Sequence, residues 1–416
     1  MKKIATLLVF FLAMNLSAQE NDYNAKTLSL FNEGNWKDLI ELAKEAQEKN
    51  QSTYEIDYRL AVAYYNAANY FDSTTQFKKL IATYDVSYDY IKEYLYFSYL
   101  FSGREADALL LAKDFPFHLK LKIDAKEPQF IDYVYTEGGA KVSSRRDIDI
   151  DNLSYFNLGL GHNLGSTFNI YHSFSTLKQK YIDFDYKQSE YYLSANVQLS
   201  EGLTLIPAYH YLKITDQDPQ YETVSVPGGG NRLIRIYVGV EDQKIHVFHL
   251  GLKKQWGRLT LTPNVTSSSS DGFTDTGAAD KINQLQYGFD LGYSLKSFND
   301  RVWIGFGGYM HNDEVENNFI WNVKTYFQLT PKTYLFAKYN QSEVSNFSED
   351  NASVFVNALS KSKDKISGTL GTKLSNTFHL YLNYQFENVE NTDNTTIVNN
   401  FNFTYSTFIV GLKIDL

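Results

Sequence analysis

Beyond about residue 128, apolar side chains recur at every second position, and the pattern runs on into the final segment. In FIVGLKIDL (408–416), Phe408, Val410, Leu412, Ile414 and Leu416 share one parity, while Ile409, Gly411, Lys413 and Asp415 share the other. YYLSANVQL (191–199), QYGFDLGYSLK (286–296) and FHLYLNYQFE (378–387) repeat the pattern. A strand points successive side chains to opposite faces, so each segment has one oily face and one polar face. Chain ends in water are usually frayed and polar. A strand that stays amphipathic this late is expected to meet an apolar environment.

Alternation alone also fits a water-soluble sandwich, and the connections discriminate. Short turns recur in NLGST, LSEGL, QWGRL, SFNDR, LTPKT and LSNTF, and long polar stretches such as 215–231 and 343–363 lie between the hairpins. Short turns alternating with long loops is the pattern of outer-membrane barrels, with the turns on the periplasmic side. Strands are expected near 129–139, 152–162, 167–178, 189–199, 203–214, 244–254, 258–268, 283–296, 301–311, 318–329, 333–342, 365–374, 378–388 and 404–416. The best count is fourteen, with twelve to sixteen compatible, because 179–188 and 215–243 can hide or extend strands. An even number returns the C-terminus to the periplasm. FIVGLKIDL is then the closing strand, since an open edge in lipid leaves backbone groups unsatisfied. Phe401, Phe403 and Tyr405 have the opposite parity from Phe408, and a bulge near Ser406–Thr407 is expected to reconcile them.

Composition agrees with an exported membrane protein. The first residues carry two lysines, an apolar run from Ile4 to Leu16, and small residues at Ser17 and Ala18. That is a secretory signal peptide over 1–18, not an anchor. No later stretch reaches the roughly 20 continuous apolar residues of a membrane helix, yet the chain holds 33 Tyr and 29 Phe. It has no cysteine, hence no disulfide, thiol nucleophile or Cys-based metal site. A net charge of −9 argues against a nucleic-acid partner.

Before residue 114 the period is helical. GNWKDLIELAKE (34–45), ANYFDSTTQFKK (68–79) and SGREADALLLAK (102–113) align at a spacing of 34 residues. Trp36, Tyr70 and Arg104 then correspond, as do Ala43, Phe77 and Leu111, and Phe31, Tyr65 and Tyr99 on the preceding helices. A 34-residue helix–turn–helix period is that of tetratricopeptide repeats, which this stretch resembles. Arg104 and Asp107 depart from the usual small or aromatic residues. The expected organisation is a signal peptide (1–18), periplasmic tetratricopeptide-like helical repeats (19–113), a linker (114–128) and an antiparallel transmembrane β-barrel (129–416) of a Gram-negative envelope.

Taken together, the leader, the repeats and the barrel resemble the YaiO-like outer-membrane family, and in layout the poly-N-acetylglucosamine export porin. That resemblance implies a role in moving or handling a polysaccharide. The closing strand also resembles the C-terminal signal read by the barrel assembly machinery, though Leu416 stands where an aromatic residue is typical.

If alternation assigns the faces, Lys253, Lys296, Lys324, Lys338, Lys373 and Lys413 line the lumen, with Asp290, Glu387 and Asp415 as acidic counterparts. Lys253, Lys296, Lys373 and Lys413 fall near periplasmic strand ends, where a ring of like charge favours anions; pairing with the acids is the bland alternative. Tyr155, Tyr171, Tyr192, Trp303, Tyr309, Tyr326 and Tyr381 share the inner face, as a slide for sugar rings or as packing in a narrow barrel. Catalysis is not expected. His172 and Ser173 are adjacent and so point to opposite faces, and no HxS or HExxH occurs. SSRRDIDID (143–151) lacks the glycine and terminal glutamate of a calcium loop. No cofactor or metal is expected. The expected partners are outer-membrane lipid, the assembly machinery, and a periplasmic protein or glycan at the repeats.

The leading expectation is a non-enzymatic barrel serving passage or export of a polysaccharide or anionic solute. A non-conducting scaffold that anchors the repeats is the second reading, and a lipid- or glycan-modifying enzyme the third.

Overall fold

The structure is a computed structural model that describes residues 23–416 apart from 126, 146–151, 182–183, 217–219, 226–232, 240–241, 274–278, 297–300, 314–315 and 392–400. The leader expected over 1–18 and most of the loop SSRRDIDID lie outside those residues. The chain divides into two compact units, one helical and one built of strands.

The helical unit runs α1 (23–33), α2 (Trp36–Glu48), α3 (Tyr54–Asn66), α4 (Tyr70–Tyr84), α5 (Asp89–Phe101), α6 (Glu105–Ala112) and α7 (Phe117–Lys122). Three tight turns join its helical hairpins. Each holds a residue at positive φ, namely Gly34 (68°), Ala68 (56°) and Gly103 (74°). The following N–H reaches five residues back, from Asn35 to Leu30, Asn69 to Tyr64 and Arg104 to Tyr99, at 2.8–2.9 Å. This closes the open carbonyls of each helix end.

Positions 35, 69 and 104 are separated by 34 and then 35 residues, so the third turn falls one residue later than the alignment with SGREADALLLAK expects. The difference arises around α4, which has 15 residues against 13 in α2. The shift corrects the odd chemistry of the third copy. Arg104 is the cap residue and not the partner of Trp36 and Tyr70, and Ala112 takes the buried place of Ala43 and Phe77. Asp38, Asp72 and Asp107 now coincide in the first turn of the second helix, where an acid favours the positive end of the helix dipole. Arg104 Nε donates to Asp107 at 2.8 Å and its guanidinium lies 4.6 Å from the Tyr99 ring centroid.

Apolar packing supplies the rest. Phe77, Leu80, Ile91 and Leu95 are buried together, and Leu119 of α7 and the cap residue Ile123 that follows it join the same core. A helix therefore lies within 114–128. Burial pushes the phenols of Tyr58 and Tyr65 up to about 12, so these rings serve as neutral packing groups. Buried Asp57 on α3 accepts from Gln47 Nε2 and Ser52 Oγ at 2.6 Å and from Tyr84 OH at 3.0 Å, which ties α2, α3 and α4 together.

The second unit contains β1 (Gln129–Ser143), β2 (Leu153–Asn163), β3 (Phe168–Tyr181), β4 (Phe184–Ser200), β5 (Leu203–Asp216), β6 (Gln220–Ser225), β7 (Leu233–Gly239) and β8 (Asp242–Trp256). It continues with β9 (Leu259–Phe273), β10 (Ala279–Ser294), β11 (Val302–Asn312), β12 (Asn317–Thr330), β13 (Thr333–Glu349), β14 (Val354–Lys373), β15 (Phe378–Asn391) and β16 (Phe401–Asp415). Strands β6 and β7 form a separate ribbon inside 215–243. The other fourteen close into one antiparallel barrel, the count read from the alternation.

Closure is made by β1 on β16, with Val134 opposite Ile414 and Ala140 opposite Phe408. The N–H of Leu416 reaches Asp132 O at 3.0 Å. Register runs unbroken from Asp415 to Tyr405, so the bulge expected at Ser406–Thr407 is absent. Phe403 and Tyr405 keep the parity of Lys413 and are buried on the inner face, with Lys141 Nζ 4.2 Å from the Tyr405 ring centroid. Phe156, Leu158, Phe248, Phe289, Ile366, Phe408 and Val410 stand exposed on the outside. In water so continuous an apolar surface is a liability, whereas in lipid it is what the solvent requires.

Candidate functional site

The inner wall is polar, and an element crosses it. Strands β13 and β14 pair regularly from Thr333↔Thr372 to Gln341↔Asp364, then the register shifts twice before Asn346↔Asn357. Glu343 has φ +57° within this irregularity. Beyond it the hairpin bends inward and ends in the turn Asp350–Asn351–Ala352, three residues at positive φ. For Ala352 that conformation costs about 1–2 kcal/mol, so contacts at the tip must offset it.

Those contacts reach the far wall. In a ring of fourteen, the point opposite the β13/β14 pair is the β4/β5 pair. There His210 Nε2 on β5 donates to Ala352 O at 2.7 Å, while Nδ1 faces the Glu190 carboxylate on β4. Ala352 packs with Tyr192 and Ala208, and Phe355 with Leu212, Ile214 and Val247. On the near side Val344 and Phe347 pack on Tyr309 and Ile320, and Gln286 pairs with both backbone groups of Ser348 at 2.9 and 3.0 Å. The hairpin thus spans the lumen from one wall to the other.

Its tip is latched by charge. Lys338 Nζ lies 2.7 Å from Glu349 Oε2 and 2.9 Å from Asp350 Oδ2. Lys324 Nζ binds Asp350 Oδ1 at 2.9 Å and Asp290 Oδ1 at 2.7 Å, and Lys365 binds Glu349. Lys324 and Lys338 sit directly opposite each other on β12 and β13, a like-charge juxtaposition that the acids of the tip neutralise.

Of the residues expected to line the lumen, Lys324, Lys338 and Asp290 meet in this latch. Glu387 faces inward and pairs with Lys141 at 2.6 Å. Lys413 lies 2.8 Å from Asp415 and 4.3 Å from the Tyr133 ring centroid. Lys253 and Lys373 lie on inner-face parity and are half-buried, and Lys296 is exposed beyond the end of β10. Tyr192 and Tyr381 line the central cavity. Tyr326 lies elsewhere, donating to Gln328 and packing on Tyr334 with centroids 5.0 Å apart. Sequence reasoning missed Lys141, Lys365, Glu349, Asp350, Glu137 and His210, because half of the latch belongs to a stretch that reads as an extracellular loop.

A cavity of about 1030 Å³ remains on one side of the hairpin, bounded by β1–β5 and β14–β16. Tyrosine rings lie flat along its wall because glycines leave room for them. Tyr133 covers Gly161, Tyr171 covers Gly159 and Tyr135 covers Gly411, and a Cβ at any of the three glycines would collide with the ring. Tyr135 and Tyr155 donate to the two oxygens of Glu137 at 2.6 and 2.7 Å.

Ser173 faces the lumen and His172 does not, and among the described residues no histidine is hydrogen-bonded to a serine and no group of His, Asp or Glu could hold a metal ion.

No family model matches the chain, and no curated protein matches it. Solved structures that do match include the toluene transporter TodX of P. putida (9% identity, 69% of this chain and 91% of that one, TM-score 0.45). Others are the toluene transporter TbuX of Ralstonia pickettii (7%, 69% and 90%, TM-score 0.47) and the outer membrane protein Omp33 of Acinetobacter baumannii (9%, 69% and 100%, TM-score 0.34). Likeness at this level carries neither a family nor a cargo. The resemblance to the YaiO-like family and the poly-N-acetylglucosamine export porin drawn from the layout is not upheld: no family model supports it, and the similar structures named here are toluene transporters and another outer membrane protein. Closed fourteen-strand topology, an apolar outer face and a polar lumen make this chain an outer-membrane β-barrel protein with an extramembranous, periplasmic N-terminal helical unit.

Proposed function

We propose that the barrel is a gated passage for polar solutes, held closed by the β13–β14 hairpin. The observation that carries this reading is the latch: a hairpin crossing the lumen, strained at its tip and held by ion pairs, is a discrete element with a second position available to it. A polysaccharide or other extended cargo passes only with the hairpin displaced, and small polar solutes need the least movement. The expected anion preference enters as a weak bias, because Lys324, Lys338 and Lys413 have acidic neighbours. Lys373, with no ion-pair partner among the described residues, is where charge reversal tests it.

The same reading takes 1–18 as a cleaved leader, 19–113 as a tetratricopeptide-like docking stack for a periplasmic protein or glycan, 114–128 as the connection and 129–416 as the barrel. The closing strand is taken as the contact for the barrel assembly machinery. A second reading rests on the same latch held permanently: a plugged barrel that anchors the helical unit as a scaffold.

The absence of cysteine makes a clean test. Ala208 and Ala352 are buried in one cluster with Tyr192, so Ala208→Cys/Ala352→Cys is the pair chosen to tie the tip to the far wall. In planar bilayers the oxidised double variant is expected to be silent and the reduced form to show current steps. Steps that persist after oxidation would show that the hairpin is not the gate. Silence of every form, wild type included, would select the scaffold.

A further inference from the structure

We infer that the cavity between the hairpin and the β1–β4 wall is a binding chamber for a neutral saccharide. This rests on the reading of the lumen as a solute passage and names what the passage takes.

Three features of the chamber point to that chemistry. First, its tyrosines form two runs of adjoining rings along the wall. Tyr133 and Tyr171 are nearly parallel at 6.1 Å between centroids, Tyr171 adjoins Tyr192 at 6.0 Å, and Tyr135 adjoins Tyr381 at 6.0 Å. Because Tyr133, Tyr135 and Tyr171 lie over glycines, they present ring faces to the cavity instead of edges. An aromatic face carries the negative lobe of its quadrupole and suits the slightly positive C–H face of a pyranose.

Second, the charges around the chamber are spoken for. Both oxygens of Glu137 accept phenols, Glu387 pairs with Lys141, Lys365 with Glu349, and Glu190 faces His210. An anionic ligand would find none of the lining lysines without an acidic partner, since Lys413 pairs with Asp415 as well. Third, the wall between the rings carries uncharged hydrogen-bonding side chains, among them Asn157, Ser173, Thr369 and Asn383. Asn383 Nδ2 already donates to Thr369 Oγ1 and Gly368 O, so a hydrocarbon gains little from this wall and offers its remaining polar atoms no hydrogen bond. A sugar satisfies rings and amides together. The volume lies at the upper end of small-molecule sites, room for more than one ring.

The test is saturation-transfer NMR on the full mature chain in a detergent without sugar headgroups, with irradiation of the aromatic protons. The probes are maltotriose, chitotriose and xylotriose, with toluene and gluconate as the apolar and anionic competitors. The expected result is transfer to the ring C–H protons of at least one trisaccharide. Tyr133→Ala and Tyr171→Ala should each weaken binding about tenfold, and Tyr171→Phe, which keeps the face, should restore it. Heat-modifiable migration on gels verifies that each variant has closed its barrel.

Binding of toluene or gluconate without any of the three sugars would overturn the inference, as would sugar binding that ignores both alanine variants. Saccharide binding by a protein that never conducts would retire the passage and leave the chamber. Conduction with none of the probes bound would do the reverse.

Discussion

Lys338 is 4% exposed and faces two carboxylates, so its charge is tolerated in the lumen only while the hairpin tip is in place. Removing one partner of a buried ion pair leaves an uncompensated charge and costs about 3–5 kcal/mol. In Lys338→Met that cost falls on the latched state, because Lys365 and Lys324 each hold only one of the two acids strongly. Open probability in bilayers is therefore expected to rise by about two orders of magnitude, each factor of ten corresponding to ~1.4 kcal/mol. Lys338→Arg keeps the charge and should stay close to wild type. An unchanged open probability in Lys338→Met would show that the ion pairs do not hold the hairpin. At this scale alternation was a good guide to half of the site. It assigned Lys324, Lys338, Asp290 and Glu387 to one face, and in the structure Lys324 reaches Asp290 and Asp350, Lys338 reaches Glu349, and Glu387 reaches Lys141. Their partners were not legible: Glu349 and Asp350 lie in a polar stretch whose composition is the same whether it extends into solvent or folds inward. Phe403 and Tyr405 misled for a related reason. Aromatic residues of a barrel strand suggest lipid, yet these two fill the lumen beside Lys141.

Between elements, what decides the outcome is which groups must find partners. Along β13 and β14 the register shifts release two strands from their wall positions, and the tip regains partners from β4, β5, β10 and β12. Helices show the same logic in the turns. The one-residue offset of the third copy was invisible to an alignment that matched residue types, because LLLA slides against its template without penalty. It becomes visible in the recurring N–H to carbonyl bonds and in the acids of the first turn. Asp57 is where this unit is most exposed to a single change. Its carboxylate accepts from three side chains on α2, on α4 and in the preceding turn. Asp57→Ala leaves three half-buried donors without their acceptor, so the helical unit should lose about 1–2 kcal/mol. Because the barrel contributes a β-type signal, the loss is measurable as an earlier melting of the helical circular-dichroism band in the intact protein. Melting at the wild-type temperature would mean that water replaces the carboxylate at no cost.

On the scale of the whole molecule, the chain encloses two separate hydrophobic problems. The helical unit buries its own cores around Phe77 and Leu39. The barrel satisfies its backbone by closing β1 on β16. Both solutions were legible, since a change of period from helical to two needs no tertiary knowledge. The latch, the strained tip and the tyrosine chamber all lie within the strand unit. A chain beginning at Glu127 therefore carries every residue of the proposed gate, and it should insert as a heat-modifiable barrel. Its conductance and its response to Lys338→Met should match those of the full chain. A truncated barrel that opens freely while the full chain stays silent would place part of the closing force in the helical unit. The hairpin would then be only one of two barriers in series.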